Sequence, residues 1–459
     1  MRLRFISSLL VAFSGVRAQP PAMTLAEAVD RALKNYPAVR VSEEQISAAA
    51  AAIQLARTAY LPRIDGSAQA NRATRNNVFG MLLPQSNSPS VIPTMSGPVI
   101  GSDNLGSAWG SAIGVLVNWE PFDFGLRRAN VVLAEAGRAE SQAALKRTEF
   151  EVAAAAADAC LTLAAATETV RAAQAGVDRA STVGRTIHAL VDAQLRPGAD
   201  ASRADAEVAA ARIQLIQSQQ AAEVARANLS RFLGLDPASI ALAASRLVEL
   251  PPEAAPAPLD AAANPIVRQQ NAVAEQARAQ LRALERSYFP RFFLEGAAYA
   301  RGTGAETDGR LLGGLNGLVP NYQNYGLALT VTFPAADLPS LRAREAAQSA
   351  TVRAEAARAQ QIVFDLRAQW NAAVASLTGA RRVAANTPVA IAAARAASLQ
   401  AEARYHSGLG NIDDVAEAER LLTQSEIDDA LARLGVWRGL LAVATAAGDL
   451  QPFLAEAAR

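Results

Sequence analysis

The chain has few of the residues that usually build disulfides, metal sites and catalytic triads. Its 459 residues include one cysteine and two histidines, which excludes an internal disulfide framework and leaves little for a zinc site or a histidine-based triad. The 44 basic and 43 acidic residues nearly balance, so there is no basic excess to bind nucleic-acid phosphates. Aromatic residues make up only 5% while hydrophobic residues reach 51%, which favours long, closely packed helices. We therefore expect no enzyme, no cofactor, no metal site and no nucleic-acid partner.

The first 18 residues have the pattern of a secretory signal peptide. Arg2 and Arg4 precede a short apolar run, and Ala18 ends a small-residue cleavage site. The run is too short to cross a membrane as a helix. Because Cys160 lies deep in the chain, a lipid anchor on the mature terminus is not expected. If the mature protein enters a membrane, it must do so with strands.

The mature chain is a duplication. The segment NYPAV near the start has a counterpart in NPIV at 264–267, and YLPRIDG has a counterpart in YFPRFFLEG. Two pairs of prolines share an offset of 228, and a pair of glycines matches at the shorter offset of 210: Pro37 with Pro265, Pro62 with Pro290, and Gly198 with Gly408. Each half is expected to hold a helix, a strand pair, a very long helix, a tight turn and a returning helix.

The helix and linker signals divide the chain into nine segments. A capping box at Thr24 and Glu27 begins the first helix, and the absence of proline from 122 to 196 allows a helix of about 100 Å. Pro388 is expected to kink the partner helix of the second half. The predicted segments are the signal peptide (1–18), N-terminal helices (19–62), a first strand pair with an external loop (63–122), a first long helical hairpin (123–234), a Pro/Ala linker (235–263), a helix of the second repeat (264–289), a second strand pair with an external loop (290–334), a second long hairpin (335–447) and a C-terminal tail (448–459).

Two stretches alternate in the way that membrane strands do. From Trp109 to Trp119 and from Tyr325 to Phe333, apolar residues occupy every second position. The tryptophans stand ten residues apart, which at a tilt of about 40° covers roughly the 25 Å apolar band of an outer-membrane barrel. A soluble hairpin with one buried face would alternate in the same way, but export, duplication and the long helices favour a membrane. These four aromatic residues are predicted to form an aromatic girdle, and polar loops at 76–106 and 302–324 to lie outside the cell.

The order of these motifs resembles the TolC-type outer-membrane factor family, the exit ducts of tripartite efflux pumps and type I secretion systems. The motifs cover essentially the whole mature chain: MTLAEAVDRALKNYP, LPRIDG, FPRFFLEG, EPFDFG and YHSGLGNIDDVAEAE. The resemblance implies an α+β membrane protein, a homotrimer whose twelve-stranded outer-membrane β-barrel stands on a long periplasmic α-helical barrel. It also implies a passive efflux duct in the bacterial outer membrane, with a periplasmic adaptor and an inner-membrane transporter as partners.

Other functions stay open at this point. A type I protein secretion channel would share the whole pattern. A periplasmic adaptor would have a single hairpin between small β-domains, and a soluble coiled-coil scaffold would lack membrane strands. The duplicated hairpins, each joined to a strand pair, favour the efflux duct over the last two.

The resemblance places the closed end of the pore, its gate, at the two hairpin turns, near Gly198 and Gly408. Tyr405 matches the constricting tyrosine of the family, and Asp414 and Glu417 match its two acidic aperture positions. The alternatives are a packing role for Tyr405 and a solvated helix face for the two acids. In a trimer each carboxylate would become a ring that favours cations.

The turn glycines, Gly198 and Gly408, are expected at the hairpin tips where an adaptor would dock. Two positions depart from the family. An arginine common after the turn glycine is replaced by Gly410, and the first half has Ala204 where Asp414 would correspond. A latch built on that arginine is therefore not expected.

Overall fold

A computed structural model describes residues 22–74, 106–243, 246–253, 255–256, 258–306 and 310–458. The predicted signal peptide and all but Gly106 of the predicted loop at 76–106 lie outside these ranges. The described elements, in chain order, are α1 (Leu25–Asn35), α2 (Pro37–Thr58), β1 (Arg63–Thr74), β2 (Ser107–Phe122), α3 (Leu126–Asp192), α4 (Gly198–Leu233), two short 3-10 helices (Pro237–Ser239 and Arg246–Val248), α5 (Pro265–Arg286), β3 (Arg291–Thr303), β4 (Tyr322–Thr332), α6 (Leu338–His406), α7 (Ile412–Ala447) and α8 (Gln451–Ala457).

The same order of elements occurs twice. The long helices α3 and α6 have 67 and 69 residues, and the returning helices α4 and α7 both have 36. Both returning helices end at a glycine in the left-handed region, Gly234 with φ 65° and Gly448 with φ 81°. The returning helices therefore correspond at an offset of 214. Helix α6 runs without a break through Pro388.

One asparagine in each half caps the end of a returning helix. Asn35 Nδ2 donates to the Leu233 carbonyl at 3.3 Å, and Asn264 Nδ2 donates to the Ala446 carbonyl at 3.2 Å. Such bonds satisfy carbonyls that have no partner inside the helix. The asparagines of NYPAV and NPIV thus have one structural role, which explains why the motif recurs.

The described residues form two compact units, of which the first comprises those within 1–46, 140–272 and 355–459. Its main core is built from α1, the middle of α3, and the ends of α4, α7 and α8. The fully buried Trp437 donates through Nε1 to the Glu249 carbonyl at 3.0 Å and packs edge-on against Phe453. Phe453 lies on α8, so the segment predicted as a tail contributes a helix to this core. Near the chain start, Met23 pairs with the linker through bonds to Ala241 and Ala243.

The second unit comprises 47–139 and 273–354 and contains the four strands. The strands form one antiparallel sheet in the order β1-β2-β3-β4, with a register shift in β2 between Trp119 and Phe122. At the end of β2, Phe124 and Gly125 adopt positive φ and redirect the chain into α3. Asp123 caps that helix by accepting from the Arg127 backbone N–H at 2.6 Å and from Arg127 Nε at 3.0 Å. These contacts explain the EPFDFG motif.

Helices α3 and α7 each contain a window long and apolar enough to cross a membrane by composition alone. Half of the α3 window is buried inside the structure. Alanine and leucine residues of both helices belong to the core described above, which accounts for their hydropathy.

Candidate functional site

The sheet has one apolar face whose side chains are largely exposed. On β4 this face carries Tyr325 and Leu327, which are 88% and 81% exposed. The register places Leu294 and Gly296 of β3 beside Leu329 and Leu327, and β2 and β1 continue the same face. The apolar face comprises Ile64, Gly66, Ala68, Ala70, Ser111, Ile113, Val115, Val117, Trp119, Phe292, Leu294, Gly296, Ala298, Ala300, Tyr325, Leu327, Leu329 and Val331. A water-soluble sheet would bury such a face.

The opposite face of the sheet is polar and charged. Glu295 accepts from Asn118 Nδ2 and from Thr330 Oγ1, both at 3.4 Å. Arg291 makes a two-pronged contact with Glu120, with both N···O distances at 2.7 Å. The alternation predicted from sequence is therefore a real division between an apolar and a polar face.

The strand register shows at which level of the sheet each predicted girdle residue lies. Trp109 lies at one end of β2, where the Arg72 guanidinium stands 5.6 Å from its ring centre. Trp119 lies at the other end and donates through Nε1 to the Tyr60 carbonyl at 3.1 Å, and Phe333 follows directly after β4 at the same end of the sheet. Tyr325 pairs with Ala298 midway along the sheet. Two ends of the sheet thus carry tryptophan, while Tyr325 lies between them.

The two hairpin turns of the first unit are equivalent, but not at the glycines that the sequence pairs. Leu195 N–H donates to the Leu190 carbonyl, and Leu409 N–H donates to the Arg404 carbonyl. The residue before each leucine is left-handed, Gln194 with φ 60° and Gly408 with φ 78°. Gly198 instead is the first residue of α4.

The predicted equivalence of Gly198 and Gly408 is therefore wrong. The offset of 214 that relates α4 to α7 also relates the turns, so Gly408 corresponds to Gln194. Asp414 corresponds to Asp200, and Ala204 corresponds to Ala418. The error arose because the left-handed position of the first turn is occupied by glutamine, which gives no glycine signal.

Tyr405 is 2% exposed and joins the second turn to the first. Its hydroxyl donates to Asp200 Oδ2 at 2.8 Å, and its ring packs with Ile187 and Val415. Arg196 stacks over the ring, 4.2 Å from its centre, and also donates to the Tyr405 carbonyl. Burial, reinforced by the bond to Asp200, raises the pKa of Tyr405 to about 12, so its hydroxyl stays protonated as a donor.

We call Tyr405, Asp200 and Arg196 the turn cluster. Sequence reasoning found Tyr405 but missed the other two. Asp200 and Asp414 are each the third residue of a returning helix, so the offset of 214 from Gly234 to Gly448 would have revealed Asp200.

Asp414 and Glu417 are both exposed on the first turns of α7. The backbone N–H of Asp414 donates to Asn411 Oδ1 at 2.8 Å, which caps the helix. Glu417 lies 2.7 Å from Arg420 of the same helix. The neighbouring Asp413 reaches across to Arg203 of α4 at 3.2 Å. The two acids thus remain open to solvent, while Asp413, the residue before Asp414, makes an ion pair with the first hairpin.

Each hairpin also carries a titratable pair at equivalent positions near its turn. His188 Nε2 lies 2.9 Å from Asp205 Oδ1, and this bond raises the pKa of His188. Because the pKa is raised, any stabilisation by this pair is present at acidic pH and is lost as pH rises through that pKa. The counterparts in the second hairpin are Glu402 and Glu419, and the pKa of Glu402 is raised by burial and then by the charge of Glu419.

Among the described residues, no group of three or more His, Cys, Asp or Glu side chains could hold a metal ion. The single cysteine, Cys160, is buried, and burial raises the pKa of its thiol to about 12. Such a thiol is a poor nucleophile at neutral pH.

Comparison with solved structures identifies the fold. The chain is similar to the outer-membrane channel OprN, with a TM-score of 0.71 and 22% identity over 92% of this chain and 89% of that one. It is similar to the CmeC outer membrane channel of Campylobacter jejuni, with a TM-score of 0.71 and 15% identity over 98% and 94% of the two chains. It also matches the open state of the MtrE outer membrane channel of Neisseria gonorrhoeae, with a TM-score of 0.68 and 19% identity over 93% and 89%.

The family comparison points the same way. No curated protein sequence gave a significant match. The family model described as outer membrane efflux protein matches residues 28–235, which run from α1 to the end of the first hairpin. The second half repeats the same elements. Residues 28–235 therefore match the outer membrane efflux protein family, and the chain as a whole has the fold of the outer-membrane channels to which it is similar.

Proposed function

We propose that the chain is the outer-membrane exit duct of a tripartite efflux pump, acting as a homotrimer with a periplasmic adaptor and an inner-membrane transporter. The observation that carries this proposal is the sheet. It has an exposed apolar face, a polar face and, in the part of the chain that the structure describes, two edge strands that each pair on one side only. A soluble adaptor or a coiled-coil scaffold has no use for such a sheet.

The open edges supply the argument for a trimer. Backbone groups of β1 and β4 that face lipid would remain unpaired, which a membrane does not tolerate. Four strands are too few to close a barrel, and three copies provide twelve, an even number within the range of bacterial barrels. In that barrel the apolar face contacts lipid, and the face with Glu295, Arg291 and Glu120 lines the lumen. The helices then extend into the periplasm.

A labelling experiment tests the orientation of the sheet. Leu327 and Ala328 are neighbours on β4, both exposed, and they point to opposite faces. We expect Leu327→Cys in outer membranes to react with a lipid-phase thiol reagent and Ala328→Cys to react with a water-soluble one. Cys160 gives little background because it is buried. Equal labelling of the two positions by both reagents would contradict the membrane barrel.

The turn cluster supports a gate at the periplasmic end. Tyr405 ties the second hairpin to the first through Asp200, and Arg196 adds a second contact to the same residue. Breaking these contacts loosens one turn from the other, because the ion pair of Asp413 with Arg203, which also joins the hairpins, is exposed to solvent. In a trimer the exposed Asp414 and Glu417 would form carboxylate rings beside the constriction, which favour cations. The related MtrE channel has been captured in an open state, so a channel of this fold can open.

The hairpin tips provide a docking surface for the adaptor. Leu195 and Leu409 occupy the position after the left-handed residue, where an apolar side chain usually folds back onto its own helix. Here they are 69% and 74% exposed instead. Two equivalent apolar side chains at the tips fit a partner that contacts both turns, with Gly408 leaving its backbone accessible.

Dye retention in cells tests the efflux role and this surface together. A strain lacking the chain should retain ethidium, and the wild-type chain should restore efflux. We expect the double change Leu195→Glu with Leu409→Glu to restore none of it, since carboxylates would have to lose their hydration at an apolar contact. The matched control, methionine at both positions, should restore efflux at equal outer-membrane levels. An active glutamate variant would rule out the tips as the docking surface.

A further inference from the structure

Arg179 on α3 contacts three successive turns of α7. Its Nε donates to Glu419 Oε2 at 3.0 Å, and its Nη2 donates to Thr423 Oγ1 and to Glu426 Oε2, both at 2.9 Å. Only about a quarter of the Arg179 side chain is exposed, and Glu419 is buried. Separating a guanidinium from two largely buried carboxylates costs much free energy, because it leaves buried charges without partners.

Helix α6 reaches the same two carboxylates from its own side. Ser398 donates to Glu419 Oε1, while Arg179 occupies Oε2 of that residue. Arg395 lies 3.7 Å from Glu426 Oε1. Three helices, α3 from the first hairpin and both helices of the second, therefore meet at one polar cluster. We call Arg179, Glu419, Thr423 and Glu426 the arginine cluster.

The helices approach closely beside this cluster. Gly176 precedes Arg179 by one turn of α3, and a Cβ placed on it would lie 3.0 Å from Oγ1 and Cγ2 of Thr423. The absence of a side chain at this glycine lets α3 and α7 come near enough for Arg179 to reach all three partners. The contact is thus part of the backbone packing and not a surface ion pair.

The arginine cluster is separate from the turn cluster. Arg179 stands 13 residues before the end of α3, which is about 20 Å along a helix. We propose that Arg179 is a positioning residue that forms a second restraint on the channel, holding the second hairpin against the first when the turn cluster has been released. This inference rests on the proposed function as a gated duct.

Two restraints at different levels make a specific prediction about additivity. When the turn cluster is broken, the hairpins can separate only over the segment between the turns and Arg179. With Arg179 removed, the tips are still tied by Tyr405. Wide separation of the hairpins requires that the turn cluster and the arginine cluster both be broken. The change in conductance of the double variant should therefore exceed the product of the changes in the two single variants.

Recordings in planar bilayers with the purified full-length protein test this. We expect Arg179→Ala alone to change the conductance by less than about twofold, and Arg179→Ala with Tyr405→Phe to exceed Tyr405→Phe alone by about tenfold. Arg185 is the matched control, since it lies on the same helix and donates to Thr182 of that helix. Arg185→Ala should add nothing to Tyr405→Phe. If the variant with both Arg179→Ala and Tyr405→Phe conducts like Tyr405→Phe alone, Arg179 does not restrain the channel.

A disulfide provides the rescue experiment. The Cβ placed on Gly176 would lie 3.6 Å from Thr423 Cβ, within the usual range for disulfides. We expect Gly176→Cys with Thr423→Cys, added to the Arg179→Ala and Tyr405→Phe variant, to restore low conductance when oxidised. Dithiothreitol should release it, and Thr423→Cys alone, added to the same Arg179→Ala and Tyr405→Phe variant, should leave the conductance high. High conductance with the disulfide present, verified by mass spectrometry, would contradict the restraint. Wild type and every variant failing to conduct would instead refute the proposed duct.

Discussion

Replacing Tyr405 with phenylalanine should raise the open probability of the channel by at least about tenfold in planar bilayers. The change keeps the ring packed under Arg196 and removes only the hydroxyl that donates to Asp200. A hydrogen bond to a charged group contributes about 1.5–3 kcal/mol, which corresponds to a factor of roughly 10 to 150 in an equilibrium. Asp200→Ala should have a similar effect, and combining the two changes should add little, since both remove one bond.

The chain offers a matched control for this prediction. Tyr288 also donates to a carboxylate, Glu345 Oε2 at 2.7 Å, but it belongs to the unit that contains the sheet. Tyr288→Phe therefore removes the same kind of bond within the other unit and should leave conductance unchanged. If both phenylalanine variants behave alike, or if Tyr405→Phe conducts like wild type, the turn cluster is not a gate.

Replacing Gly448 with alanine should destabilise the protein by about 3–5 kcal/mol, one of the largest effects that a single methyl group could have here. At φ 81° a non-glycine residue is strained, and a Cβ would lie 2.7 Å from Asn264 Nδ2 and 2.8 Å from Asn264 Cα. Asn264 is fully buried and cannot move aside. We expect a lower urea midpoint or a lower melting temperature in detergent, followed by circular dichroism.

Gly234→Ala is the matched control supplied by the duplication. It has nearly the same backbone conformation, with φ 65°, but its nearest neighbour, Asn35 Cβ, would lie 3.9 Å away. It should lose only the conformational component, about 1–2 kcal/mol. Equal losses at the two glycines would show that the close approach of Asn264 contributes nothing.

The order of elements was predictable from sequence because its signals are local. Proline-free stretches, the Thr24 capping box and the repeated proline motifs depend on neighbouring residues, and the helices and strands occur in the predicted sequence. Strand faces were predictable as well, because alternation alone decides which side chains share a face. Tyr325 shows the limit, since its level in the sheet depends on the register of β4 against β3.

The turn cluster could not be found in the same way. Its three members come from two hairpins that are distant in sequence. In addition, pairing Gly198 with Gly408 gave the wrong offset between the two halves. Gln194 adopts the left-handed conformation that Gly408 adopts, which a non-glycine residue does only where surrounding structure requires it. The contacts of Arg179 could not be predicted from sequence either. Its acidic partners are 240 or more residues away, so its local sequence pattern is that of any solvent-exposed charge.

The offset of 214 between the returning helices has a consequence for how many partners the assembly can bind. Their cap ends are alike, with asparagine and glycine in both halves, and both tips expose a leucine, but the left-handed residue before it is Gln194 in the first turn and Gly408 in the second. A trimer would present six tips of two alternating kinds. A partner that recognises only the leucine could bind six times, while one that distinguishes Gln194 from Gly408 could bind three times, so the stoichiometry of the complex would report which residues the adaptor recognises.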